Sequence, residues 1–349
     1  MPELPEVETV RAGLARHLTG RAVARVEVFD PRPLRRQEGG ADAFVRRLTG
    51  RTFSAVVRRG KYLWLPLDDG AALVAHLGMS GQLLVRGTAA GRDSDVDDAG
   101  AFLGNADAPR VDLTATRAPH AAAAPPTADL SGIRPRHLRV RLHLSTIPGD
   151  APGGAALDLV DQRMFGGLRV AAMVPTADGA PGGAGSPDPL IPADVTHIAR
   201  DLLDPHLDRP ASVAKLRRSN RAVKTLLLDQ GIVSGIGNIY ADEGLWAARV
   251  HGLRPGKALG PRVTARLLEA TGEVMERALA VGGTSFDALY VDADGAAGFF
   301  ARSLAVYGRA GQECRRCGAL LRAETIGGRS HVFCPRCQTR PRHPLRAGS

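Results

Sequence analysis

All four cysteines of the 349-residue chain fall between positions 314 and 337, as two pairs, Cys314-Arg315-Arg316-Cys317 and Cys334-Pro335-Arg336-Cys337. The 16 residues between the pairs give the spacing of two knuckles that close on one tetrahedral metal ion, with four thiolates at about 2.3 Å from a single Zn²⁺. The surrounding segment, 308–349, carries too few apolar residues for a core of its own, so metal binding has to supply its folding energy. Two redox pairs or an iron–sulfur site are the competing readings, and neither calls for the hairpin-like runs Leu320–Ala323 and His331–Phe333 between the pairs. One structural Zn²⁺ is expected, in a finger over 308–340 followed by a tail, 341–349. A secreted disulfide framework would spread its cysteines over the fold, so their confinement to one segment points to the reducing cytoplasm.

The remaining chain changes character along its length. From Pro5 to about Thr19, Val7, Val10, Leu14 and Leu18 repeat every three or four residues and Gly20 stands as a stop, which predicts an amphipathic helix. Residues 22–84 hold short β-rich runs, Val23–Val28, Phe53–Val57, Tyr62–Leu65 and Ala72–Val74, the pattern of antiparallel strands in a sandwich or barrel. Residues 86–136 are dominated by Ala, Gly, Asp and Pro and read as a disordered insertion. Strand-like text returns at Leu138–Leu144 and Leu157–Val174, and Pro175–Pro192 reads as a linker, placing a domain boundary near 190. Beyond it, Ile198–Leu203, Ser212–Leu216, Ala222–Leu228, Ile239–Ala248 and Pro261–Val281 read as helices of a second domain, 191–307.

Lys and Arg number 46 against 36 Asp and Glu, a formal net charge of +10, which favours a polyanionic partner and nucleic acid before membrane. From Ala301 onward ten arginines face two acidic residues, so the cysteine segment offers a concentrated positive surface, for which phosphate contact is the economical reading and a solvated basic face the alternative. No apolar run approaches the roughly 20 residues of a spanning helix, and the start, with Glu3, Glu6 and Glu8, lacks the order of a signal peptide. Removal of Met1 would expose Pro2 as a secondary amine, with an ordinary α-amino pKa of about 7.7 to 8.0. Such an amine can attack an electrophilic carbon and form an iminium if a neighbouring acid manages the protons, and Glu3 adjoins it.

Met-Pro-Glu-Leu-Pro-Glu-Val-Glu-Thr-Val at the start, Arg59-Gly60-Lys61-Tyr62-Leu63, His76-Leu77-Gly78-Met79-Ser80-Gly81, Gly235 to Glu243, Gly282-Gly283-Thr284, Val306-Tyr307-Gly308-Arg309 and the cysteine pairs occur in this order. In this the chain resembles the formamidopyrimidine-DNA glycosylases, over nearly everything except 86–136 and the region near 180. The resemblance implies an α+β multidomain fold: an N-terminal helix with an antiparallel β-sandwich (1–190), a helical helix-two-turn-helix domain and a C-terminal zinc finger, with duplex DNA between the domains. It implies a bifunctional enzyme of base excision repair that flips an oxidised purine (8-oxoguanine or a formamidopyrimidine) out of the duplex, cleaves the glycosidic bond and nicks the abasic strand by β,δ-elimination.

By the same resemblance Pro2 is the Schiff-base nucleophile, Glu3 the proton donor, Lys61 a phosphate contact and proton donor for β-elimination, and Arg329 at the finger tip a phosphate contact acting in δ-elimination. Met79, with Arg163 and Phe165, fills the hole left by the flipped base. Their loop departs from the family pattern at Gln162, commonly Pro or Val, and at Met164, commonly basic. Asn238 contacts the phosphate beside the lesion from a helix N-terminus; His137, Arg218 and Lys224 add DNA contacts, and Arg221 adds positive charge just upstream. Leu4 favours purine lesions, because the related endonuclease VIII-like enzymes for oxidised pyrimidines usually carry Gly there; the loop Ser285–Phe300 agrees, although Phe299 stands where Tyr is common. An endonuclease VIII-like enzyme and a non-catalytic zinc-containing binder of damaged DNA are the alternatives. Without a heptad pattern or an apolar interface patch, a monomer is expected.

Overall fold

The computed structural model of the chain describes residues 2–87, 137–151, 154–283 and 303–341. Most of the predicted insertion, the loop Ser285–Phe300 and nearly all of the tail lie outside them. Helix α1 (Leu4–Leu18) starts behind a capping box between Glu3 and Glu6 and buries Leu4, Val7, Val10, Leu14 and Leu18, the predicted stripe.

Two antiparallel sheets follow. One has the order β1 (Val23–Val28), β6 (Leu138–Leu144), β7 (Ala156–Asp161), β5 (Gly81–Arg86). The other runs β2 (Val57–Arg59), β3 (Tyr62–Pro66), β4 (Ala71–His76), β8 (Gly167–Pro175), β9 (Leu190–Pro192). Their inner faces share one core with α1 and with α2 (Gly40–Leu48), a helix between β1 and β2 that the strand-rich reading of 22–84 passed over. This is a sandwich.

The segment read as a linker belongs to the second sheet. β9 pairs with the end of β8, and Gly182 and Gly183 lie so close to the carbonyls of Leu190 and Arg58 that a Cβ would overlap them, at 1.9 and 2.2 Å. Glycine marks close backbone approach here, not slack. Ile198–Leu203, expected as a helix, is irregular instead: Asp201 forms an isolated bridge with Ser234 and turns its carboxylate back onto the sheet, and a turn follows at 202–203.

The helical unit comprises α3 (Arg209–Arg217), α4 (Val223–Leu227), α5 (Asn238–Ala247) and α6 (Pro261–Leu279) around a second core, to which α1 contributes Leu4. The C-terminal unit has one hairpin, β10 (Arg322–Ile326) and β11 (Arg329–Phe333), flanked by the cysteine pairs; among the described residues its small core is Val306, Cys314, Leu321, Val332 and Cys334, with Trp246, Cys317, Ala319 and Cys337 packed against it. Among the described residues no helix is long and apolar enough to cross a membrane.

Candidate active site and DNA-facing surface

The chain's second and third residues are buried where the sandwich meets the helical unit. The Glu3 carboxylate accepts N–H bonds from Gly237 (2.7 Å), Ile239 (2.8 Å) and Tyr240 (3.2 Å), the open amides at the N-terminus of α5. Leu4 donates its N–H to the Gly235 carbonyl at 3.0 Å. The glycines of Gly235-Ile236-Gly237 make room for this docking: a Cβ on Gly237 would lie 2.4 Å from Glu3 Cδ, and one on Gly235 2.7 Å from Leu4 Cδ1. Leu4, read as a purine marker, is thus a core residue of the helical unit.

Lys61 enters from the β2–β3 turn. It is 8% exposed, and its ammonium donates to the Ile236 carbonyl at 2.8 Å. The turn is fixed from the other unit: Asp201 accepts Arg58 Nη1 at 2.7 Å and the Gly60 N–H at 3.1 Å, while Arg58 Nε pairs with Glu8 at 2.7 Å. Burial raises the Glu3 carboxyl to about 7, and Lys61 opposes that rise. Burial in turn pushes the Lys61 ammonium below the usual lysine range, with Glu3 and Glu6 opposing and the charge of Arg329 adding to the lowering. Glu3 and Lys61 therefore sit at one site, within the electrostatic reach of Arg329. Glu6 completes it, accepting Tyr240 Oη at 2.8 Å and the Glu3 N–H at 2.9 Å.

A second group is exposed. Met79 and Phe165 keep 36% and 49% of their surface, and Arg163 is exposed beside Phe165. Their two loops touch at Gly78 (φ 62°), where a Cβ would meet the Phe165 carbonyl carbon at 2.5 Å. The buried Asp161 holds the loop, accepting N–H from Arg163 and Met164 (each 3.1 Å) and Gly166 (2.7 Å) and the Ser80 hydroxyl (2.6 Å). Met164 takes a left-handed φ of 60°. Arg35 braces the loop from outside, donating to the carbonyls of Phe165 (3.2 Å) and Gly166 (2.9 Å). The sequence pattern marks neither Asp161 nor Arg35, although Asp161 directly precedes Gln162 of this loop. His137 lies at the same end of the sheet, its carbonyl accepting the Asp161 N–H at 3.0 Å.

Asn238 is the first residue of α5 and half-buried; Arg218 is exposed at the end of α3; Arg329 is exposed where the β10–β11 turn ends. Lys224 corrects the sequence expectation. It is fully buried, paired with Asp242 at 2.7 Å and bonded to the Ser330 carbonyl, so its ammonium has no route to a phosphate.

The Sγ atoms of Cys314, Cys317, Cys334 and Cys337 all lie within 4.8 Å of one another, and Cys317 Sγ stands 3.4 Å from Cys334 Sγ and 3.5 Å from Cys337 Sγ. Four thiols with no other ligand type, next to a minimal core, fit one structural zinc. Trp246 Nε1 donates to Cys314 Sγ at 3.4 Å, and the Arg316 guanidinium stacks 3.9 Å over the Trp246 ring, so the finger is fastened to the end of α5.

Three family models match in succession: the formamidopyrimidine-DNA glycosylase N-terminal domain over residues 1–168, the formamidopyrimidine-DNA glycosylase H2TH domain over 198–289, and a zinc finger found in FPG and IleRS over 311–340. The chain is 47% identical over 349 residues to a formamidopyrimidine-DNA glycosylase of Nocardioides sp., covering 100% of this chain and 98% of the relative. It is 46% identical over 344 residues to one of Mycolicibacterium smegmatis, covering 99% of each. Among solved structures it is similar to the Lactococcus lactis Fpg complex with Fapy-dG-containing DNA (TM-score 0.68) and to that protein bound non-covalently to AP-site DNA (TM-score 0.69). Each match has 26% identity and covers 97% of this chain and 100% of the other.

Proposed function

The chain belongs to the formamidopyrimidine-DNA glycosylase family, DNA glycosylases of base excision repair, and from that premise we propose that it removes 8-oxoguanine and formamidopyrimidines from duplex DNA and then nicks the strand. The observation that carries the reading is the Glu3 carboxyl: next to Pro2, buried, raised to about 7, and aimed by three amides at the head of α5. A carboxyl that keeps its proton near neutrality can give it to the leaving base or the opening sugar. The α5 amides then receive the carboxylate that is left, which lowers the cost of the transfer.

Pro2, freed of Met1, is the nucleophile. Its nitrogen attacks C1′, the bond from C1′ to the base breaks with its electron pair leaving on the base, and ring opening gives an iminium. Loss of the C2′ proton then expels the 3′ phosphate, and loss of the C4′ proton expels the 5′ phosphate. Lys61, depressed by burial beside Glu3, is suited to carry protons in the first elimination, and Arg329 to hold the phosphate in the second. Met79, Arg163 and Phe165 fill the vacated stack, offsetting an unstacking cost of a few kcal/mol. Asn238, His137 and Arg218 hold the backbone. The four cysteines hold zinc, which supplies folding energy and takes no part in the reaction. The protein acts as a monomer in the cytoplasm, where clustered thiols stay free for metal.

A lesion panel tests the specificity. Duplexes carrying one 8-oxoguanine or one formamidopyrimidine opposite cytosine are expected to be cleaved faster than one carrying an oxidised pyrimidine. The reverse order would make this an endonuclease VIII-like enzyme. Binding to all of them with no base release would leave a damaged-DNA-binding protein.

A further inference from the structure

Arg329 follows a tight turn of two glycines, Gly327 (φ 56°) and Gly328 (φ 73°), which fixes how β10 joins β11 but not where the hairpin tip sits against the helical unit. A buried polar network sets that position. Asp242 on α5 accepts Lys224 Nζ at 2.7 Å, His331 Nδ1 at 2.6 Å and the Val332 N–H at 3.0 Å. Lys224 on α4 also bonds the carbonyl of Ser330, the residue after Arg329, and all three side chains are 0% exposed. The ring closes through Gly252, which accepts the Lys224 N–H at 3.1 Å and donates to His331 Nε2 at 3.3 Å. The tip itself presses on α4: a Cβ on Gly327 would lie 2.6 Å from the Thr225 methyl.

His251, Glu324 and His331 bring their ligand atoms within 4.8 Å, the outline of a second metal site. The hydrogen bonds exclude that reading. His251 Nδ1 accepts the Leu253 N–H at 3.2 Å, which puts its proton on Nε2, 3.5 Å from Glu324. His331 Nε2 accepts from Gly252 while Nδ1 donates to Asp242. Neither imidazole has a lone pair left for a metal. The cluster is a brace at the base of the hairpin.

We infer that Asp242 is a positioning residue for Arg329: through Lys224, His331 and Val332 it fixes the hairpin tip against the helical unit, and so governs the second elimination without touching DNA. The inference rests on the δ-elimination role proposed for Arg329.

The test compares the zinc-bound full chain with Asp242→Asn, which keeps the size and removes the charge that collects three donors. One 8-oxoguanine duplex reports base release, and the ratio of δ- to β-elimination products reports the second step. Base release is expected to change less than about threefold while the δ/β ratio falls about tenfold or more, since misplacing a reacting group by about 1 Å costs on the order of 10²-fold. If Asp242→Asn does not hold one zinc per chain, the double variant Lys224→Met/Asp242→Leu is read in its place, because it leaves no unpaired buried charge. A folded variant with an unchanged δ/β ratio overturns the inference, and so does one in which base release falls in parallel. If the unaltered chain releases the base but makes no δ product, the role of Arg329 fails and this inference with it; if it releases no base at all, the proposed function fails first.

Discussion

Replacing Glu3 with Gln probes the groups at the head of α5 together. The carboxyl is 2% exposed and rises from its ordinary 4.5 to about 7, chiefly through burial. At about 1.36 kcal/mol per tenfold change in proton affinity, that rise is worth about 3 kcal/mol. An unfolded chain gives up this proton near pH 4.5, whereas the folded one keeps it until about 7. The contribution to stability is therefore full below pH 4.5, declines through the window and is lost above 7, where the folded chain holds a buried carboxylate. Urea unfolding of both zinc-bound chains from pH 5 to 8 should show Glu3→Gln gaining on the unaltered chain by about 2.5 kcal/mol, with titrations common to both cancelling in the difference. Single-turnover base release should fall above pH 7 in the unaltered chain as the acid ionises, and be nearly absent in the variant. Parallel stability curves, or a base-release profile flat through 7, would show that the carboxyl is ionised throughout and that burial does not control it.

Three further outcomes follow from the same geometry. Gly237→Ala has an ordinary backbone, φ −121°, but places a Cβ 2.4 Å from Glu3 Cδ, so base release should drop by about 10²-fold while zinc content stays at one per chain. Phe165→Ala and Met79→Ala, at half- and one-third-exposed positions, should shift the unfolding midpoint by no more than about 0.5 kcal/mol yet weaken binding to lesion duplex tenfold or more, as read by fluorescence anisotropy. Chelation of zinc should unfold the segment around Cys314–Cys337, seen as fast amide exchange confined to it, and should abolish δ-elimination before base release.

Periodicity and spacing carried the local features. The α1 stripe, the strand Leu138–Leu144 and the four cysteines all lie within short stretches whose pattern has one physical solution. What the sequence hid depends on partners far along the chain. Lys224 reads as one more cation in a basic run, and only the fold brings it to Asp242, 18 residues on, and to Ser330, 106 residues on. Asp201 looked like part of a helix because Leu202 and Leu203 follow it; its carboxylate is spent on Arg58 and Gly60, about 140 residues earlier. Gly182 and Gly183 carry the composition of a linker, whereas their lack of a side chain serves contact with Leu190 and Arg58. The chemistry of the Pro2 amine could be read from its place at the start, but its target and the roles of Lys61 and Arg329 came through family resemblance, since an amine, a lysine and an arginine at positions 2, 61 and 329 form no pattern on their own.

The central claim is that the amine of Pro2 forms the covalent bond to DNA. Borohydride reduction during turnover of an 8-oxoguanine duplex, followed by peptide mapping, tests it most directly. A chain with Met1 removed should give one adduct, on Pro2, and a chain extended at its N-terminus should give none. An adduct of equal yield on the extended chain, or one mapped to Lys61, would contradict it.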